Sequence, residues 1–152
     1  MIPPRRVITK TIGQLLLEKG AIKQAQLDEA LKIQKEKGGL LGQVLAGLGY
    51  VTEEQIAQAI TVQYGFPYLP LSNYDMDEEA IKLVPENVAR QYGLVPIDKI
   101  GNTVTIAMAD PLNTQAIEDI ELVTGSSIQI FVSTATDIKQ AIDRFYKKQG
   151  AQ

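Results

Sequence analysis

Two glutamines, Gln34 and Gln63, stand where apolar stripes spaced i, i+3, i+4, i+7 should carry a fourth apolar side chain: Leu27, Ala30, Leu31, Gln34, then Ile56, Ala59, Ile60, Gln63. An amide in that position either satisfies a loop backbone at the helix end or reads a ligand through its paired donor and acceptor. Acid clusters at Glu53-Glu54 and Asp77-Glu78-Glu79 have the composition of acid/base machinery. Each falls in the first turn of an expected helix, where the macrodipole favours a carboxylate, and that reading is preferred. Asp110, in the turn Ala109-Asp110-Pro111-Leu112-Asn113, is expected to cap the helix that follows. With no histidine and no cysteine, the chain lacks the ordinary neutral-pH base, the thiolate nucleophile and the usual transition-metal ligands. It also lacks the G-x-x-x-x-G-K-S/T loop whose amides cradle phosphates. No enzyme activity, metal or cofactor is therefore expected.

The elements that position the glutamines form a repeat. Residues 11–34 and 40–63 align without a gap at an offset of 29, separated by the five-residue spacer KEKGG. Gly13 matches Gly42, Gln14 matches Gln43, Leu16 matches Leu45, Gly20 matches Gly49, and Gln34 matches Gln63. Each copy predicts a short helix (Ile12, Leu15, Leu16; Leu41, Val44, Leu45) stopped by Gly20 or Gly49, then a longer one carrying the stripe. Thr52-Glu53-Glu54-Gln55 reads as a capping box at the start of the second long helix. Four short helices imply a bundle over residues 11–64, preceded by a tail at 1–10.

After Tyr64-Gly65-Phe66-Pro67 the pattern changes, which places a boundary near Gly65 and a linker over 65–76 expected to run extended through Tyr68-Leu69-Pro70-Leu71. Residues 77–147 read as a small α+β sandwich, before a tail at 148–152. Its expected elements are helices at 77–83, 85–92, 114–123 and 134–146, strands at 94–97, 104–108 and 128–132, and a hairpin at Gly101-Asn102. The two halves are expected to have separate cores.

The 152 residues are 45% hydrophobic with a formal net charge of −3, which suits a globular protein and argues against a nucleic-acid binder. No signal peptide, membrane span or direct membrane insertion is expected, and cytoplasm is the default compartment.

Three segments, LLGQVLAGLGYVTEEQIAQAITVQYGFPYL, LVPENVARQYGLVPI and VTIAMADPLNTQAIEDIELVTG, resemble the N-terminal, non-catalytic region of type II secretion and type IV pilus assembly ATPases, a likeness covering about residues 12–146. The resemblance implies a regulatory and docking domain, peripheral to the inner membrane through its partners. Those partners would be the cytoplasmic domain of an inner-membrane platform protein and an ATPase domain in cis or in trans. The first half also resembles the cyclic di-GMP-binding module of MshE-type pilus ATPases. That pattern has two 24-residue motifs five residues apart, each opening Arg-Leu-Gly, keeping apolar residues that pack on the ligand, and ending in Gln; the spacing here is the same. The resemblance places a cyclic di-GMP site on Thr11, Ile12, Gly13, Leu16, Leu27, Leu31 and Gln34, and on Leu40, Leu41, Gly42, Leu45 and Gln63. Thr11 and Leu40 stand where the pattern has Arg, which would supply a planar fork for guanine or phosphate. The expectation is a latent site with weak or absent binding.

Overall fold

Each copy of the repeat folds as a helix pair: α1 (Ile12–Glu18) with α2 (Gln24–Lys37), then α3 (Leu41–Gly47) with α4 (Glu53–Tyr64). The computed structural model describes residues 10–72 and 74–150. The rest of the expected tails, residues 1–9 and 151–152, and linker residue 73 lie outside it. The Thr52–Gln55 capping box is present, and Thr11–Gln14 forms a second one at α1 that the sequence reading did not single out. Gly20 and Gly49 turn the chain after the short helices with φ of 73° and 82°, a region where a Cβ would be strained.

Leu15, Leu16, Leu45 and Ile60 fill the bundle. The stripes are rotated from their expected setting. Ala57 is buried while Ala59 is half-buried, and Leu31 is 43% exposed because α2 lies at the bundle edge, packed chiefly on α3.

The second half contains α5 (Glu78–Ile81), α6 (Glu86–Tyr92), β1 (Leu94–Ile100), β2 (Thr103–Met108), α7 (Thr114–Thr124), β3 (Ser127–Val132) and α8 (Ala135–Gly150). The sheet runs in the order β1-β2-β3. β1 and β2 are antiparallel through the Gly101-Asn102 turn, and β2 pairs parallel with β3 across α7. A bulge between Pro96 and Asp98 interrupts the first ladder. The Ile97 carbonyl there accepts from the Asp77 amide at 2.8 Å, which ties α5 to β1. The described residues thus form eight helices and a three-stranded mixed sheet, the expected α+β class.

One expected cap is corrected. Asn113, not Asp110, caps α7, accepting from the Ala116 amide at 3.2 Å. Asp110 lies too far upstream of Thr114 to reach that helix. It closes a tight turn instead, accepting from the Leu112 amide at 3.1 Å.

The buried residues fall into two clusters. One joins the sheet to its helices. The other is the bundle interior, and it takes in Leu112 and Val132 from the second half. The linker pairs with β3 around Tyr68, where the Val132 amide donates to the Pro67 carbonyl at 2.9 Å and the Leu69 amide donates to the Val132 carbonyl at 3.0 Å, and it then turns at Leu71, whose carbonyl accepts from the Tyr74 amide at 3.1 Å.

Candidate functional site

The short helices approach the long ones closely because their second residue is glycine. A Cβ on Gly13 would come within 2.8 Å of Leu27 Cδ1 and 3.3 Å of Leu41 Cδ2. A Cβ on Gly42 would lie 3.2 Å from Ile56 Cδ1. Leu27 and Ile56 occupy the same position in the two copies, so both pairs use one packing device: a glycine that lets the first apolar residue of the long helix seat against the short helix.

This contact sorts the twelve candidate residues. Ile12, Gly13, Leu16, Leu27 and Leu45 are buried in the bundle. Leu40, Leu41 and Gly42 are half-buried and line a cavity with Ile12. Thr11, Leu31 and Gln63 are exposed. Gln34 is half-buried, and its Nε2 donates to the Gly39 carbonyl at 3.0 Å, which is the helix-end role set out for it above. Thr11 is engaged as the α1 cap, its hydroxyl accepting from the Gln14 amide at 3.2 Å. Leu40 turns toward the second half and packs on Gly93, which has a positive φ of 64°.

Sequence reasoning missed the junction that these residues border. Glu53, read as a first-turn acid of α4, also reaches the N-terminus of α8. Its carboxylate accepts from the Thr136 amide at 2.7 Å and from the Thr136 hydroxyl at 2.5 Å. Thr134 caps the same helix, its hydroxyl accepting from the Asp137 amide at 3.2 Å. Exposed N–H groups at a helix start favour a carboxylate wherever it comes from in the chain, so Glu53 links the two halves. Beside it, burial pushes the Asp110 carboxyl up to about 6, opposed by its bond from the Leu112 amide. No local motif could have revealed the Glu53–Thr136 contact, because its partners are far apart in sequence.

An adjoining cleft is lined by Leu40, Gln43, Gly93, Lys139 and Arg90. Arg90 is already paired with Glu86 at 2.9 Å and Asp143 at 2.6 Å. Among the described residues there is no His/Cys/Asp/Glu group that could hold a metal, and no helix is long and apolar enough to cross a membrane.

Comparison with known proteins agrees with this architecture. Residues 64–152 match the MshEN domain family. Type IV pilus assembly ATPases PilB of Myxococcus xanthus and Thermus thermophilus are 33% and 34% identical over 91% and 93% of the chain. A type II secretion system protein E of Xanthomonas campestris is 26% identical over 89%. The chain spans only 25%, 16% and 24% of those relatives' own lengths. Among solved structures, MshE with c-di-GMP superposes with a TM-score of 0.65 at 32% identity, covering 91% of this chain and all of that one. The N-terminal domain of XpsE superposes with a TM-score of 0.73 at 24% identity, covering 94% and 99%, and supports the fold. The chain belongs to the MshEN domain family and is homologous to the N-terminal domains of type II secretion and type IV pilus assembly ATPases.

Proposed function

We propose that this chain is a regulatory and docking domain that links the cytoplasmic domain of an inner-membrane secretion or pilus platform protein to an ATPase motor in cis or in trans. It works in the cytoplasm, peripheral to the membrane through that partner, and catalyses no reaction itself. The observation that carries the reading is the alignment of nearly the whole chain with a quarter or less of the length of pilus assembly ATPases. The absence of a phosphate-cradling loop from the sequence supports the non-catalytic part of it. Biolayer interferometry between the chain and the cytoplasmic domain of the platform protein encoded beside it tests the reading. Saturable binding at micromolar concentration is expected, and no binding up to about 1 mM, the weak end of specific association, sinks it.

A second reading, as a cyclic di-GMP receptor, is favoured by one observation: a solved relative with c-di-GMP covers 91% of this chain. Exposed Thr11, Leu31 and Gln63 and half-buried Gln34, Leu40, Leu41 and Gly42 are the candidate residues that a ligand could still reach. Thr11 and Leu40 offer no guanidinium, so the site is latent and native affinity is weak or absent. Calorimetric titration with cyclic di-GMP separates the two readings.

A further inference from the structure

At the junction, the starts of α1, α3 and α4 face the turn after β2 and the segment that leads from β3 into α8 across a small cavity. Its volume is about 20 Å³, room for one water molecule. Three polar side chains of the sheet half line it, Asp110, Ser133 and Thr134, the last engaged as the α8 cap. Asp110 spends one carboxylate oxygen on the Leu112 amide. Ser133 is 1% exposed, and its Oγ has no hydrogen-bond partner among the described residues. A buried hydroxyl without a partner marks a place where a water or a protonated neighbour belongs.

The helical half contributes one titratable group to the same cavity. That group is Glu53, whose oxygens are held by Thr136. The charged groups of the adjoining cleft are Lys139 of α8 and Arg90 of α6, and Arg90 is neutralised by Glu86 and Asp143. Closing the junction therefore places two carboxyls on one small cavity with no cation lining it. Covering the Asp110 carboxyl takes it out of water, which favours its neutral form.

The geometry points to a proton-responsive junction: Asp110 holds a proton more readily when the helical half is docked on the sheet half, with Ser133 and one water completing its hydrogen bonds, and gives it up more readily when the junction opens. The inference is independent of any ligand or docking partner. Burial raises this carboxyl from the usual 3.8 to about 6 in the closed state, while exposure on opening returns it to the usual range. Closure is thus fully supported below about pH 4 and weakens as pH rises through about 6. From those two values, the closing equilibrium falls roughly 25-fold between pH 4.5 and 7.5.

Amide exchange by NMR on the full chain, corrected for intrinsic rates, reads the junction through Thr136, whose amide is held by Glu53. Its protection should fall roughly 25-fold over that range in the native chain and stay flat in Asp110→Asn. Flat protection in the native chain, or the same fall in Asp110→Asn, overturns the inference. If Asp110→Asn does not fold, a carbon-13 titration of Asp110 in the native chain decides. A midpoint near 6 that coincides with the loss of Thr136 protection supports the switch, and a midpoint near 4 rejects it.

Discussion

Restoring both arginines, Thr11→Arg with Leu40→Arg, tests the latent site with a gain of binding and a measurable cost. A bidentate Arg–guanine pair contributes about 1–3 kcal/mol, so two such contacts could add roughly 2–6 kcal/mol. The structure lowers that figure. Thr11 caps α1 and Leu40 packs on Gly93, so both side chains must leave working positions. Losing the cap costs about 0.5–2 kcal/mol of stability, although Gln14 Oε1 still accepts from the backbone amide of residue 11 at 2.9 Å. Turning a half-buried Leu out of the cleft costs about 1–2 kcal/mol more. The expected result is a free protein destabilised by about 2–4 kcal/mol that binds cyclic di-GMP at least tenfold more tightly, or about 1.4 kcal/mol. Titration calorimetry measures the affinity, and urea denaturation without ligand measures the cost. Tight binding by the native chain would show that the arginines are dispensable. No gain in the double variant that folds would show that the repeat here is structural only.

Three further outcomes follow from the packing. Gly13→Ala drives a Cβ against buried Leu27 and half-buried Leu41 and should cost about 1–2 kcal/mol after the better helix propensity of Ala is counted; Gly42→Ala, with 3.2 Å of room, should be nearly neutral, and equal costs in urea denaturation would refute the claim that the first copy is the more tightly packed. Glu53→Ala removes both acceptors from Thr136 and should destabilise by about 1–2 kcal/mol, with coupling to Thr136→Val in a double-mutant cycle; additive effects would mean the contact carries no energy. Residues 1–64 and 66–152 expressed separately should each fold by circular dichroism, as two units joined near Gly65 would, with the helical fragment the weaker because it loses Leu112 and Val132. A random-coil spectrum from both would remove the boundary.

The helix pairs were legible because local signals agree at every level. The 29-residue offset, the 3.6-residue periodicity and the Thr52–Gln55 box all describe neighbours in sequence. The hairpin was legible for the same reason, since Gly101-Asn102 sits between two β-rich runs. Leu31 shows where periodicity stops. It marks the apolar face of a helix, and how far a neighbour wraps round that face depends on packing elsewhere. Asp110 failed for a different reason: one short polar side chain can serve a tight turn or a helix cap, and only the true start of α7 decides between them. The contacts Glu53–Thr136 and Pro67–Val132 had no local trace, because each follows from how two finished units dock.

Position 40 shows how the proposed ligand site and the junction are connected. The residue there begins the second motif and borders both the cavity at Asp110 and the cleft at Gly93. An arginine at this place would set a cation beside Asp110 and Glu53, where the native leucine leaves two carboxyls without one. A cation so close favours the ionised form of Asp110, so Leu40→Arg alone should weaken the pH dependence of the junction as well as offering a contact to guanine. The two effects are separable. Thr11→Arg lies at the exposed start of α1, lines neither space, and should leave the Thr136 exchange profile unchanged. If Thr11→Arg shifts that profile as much as Leu40→Arg does, the response arises from the fold as a whole and not from the carboxyls at the junction.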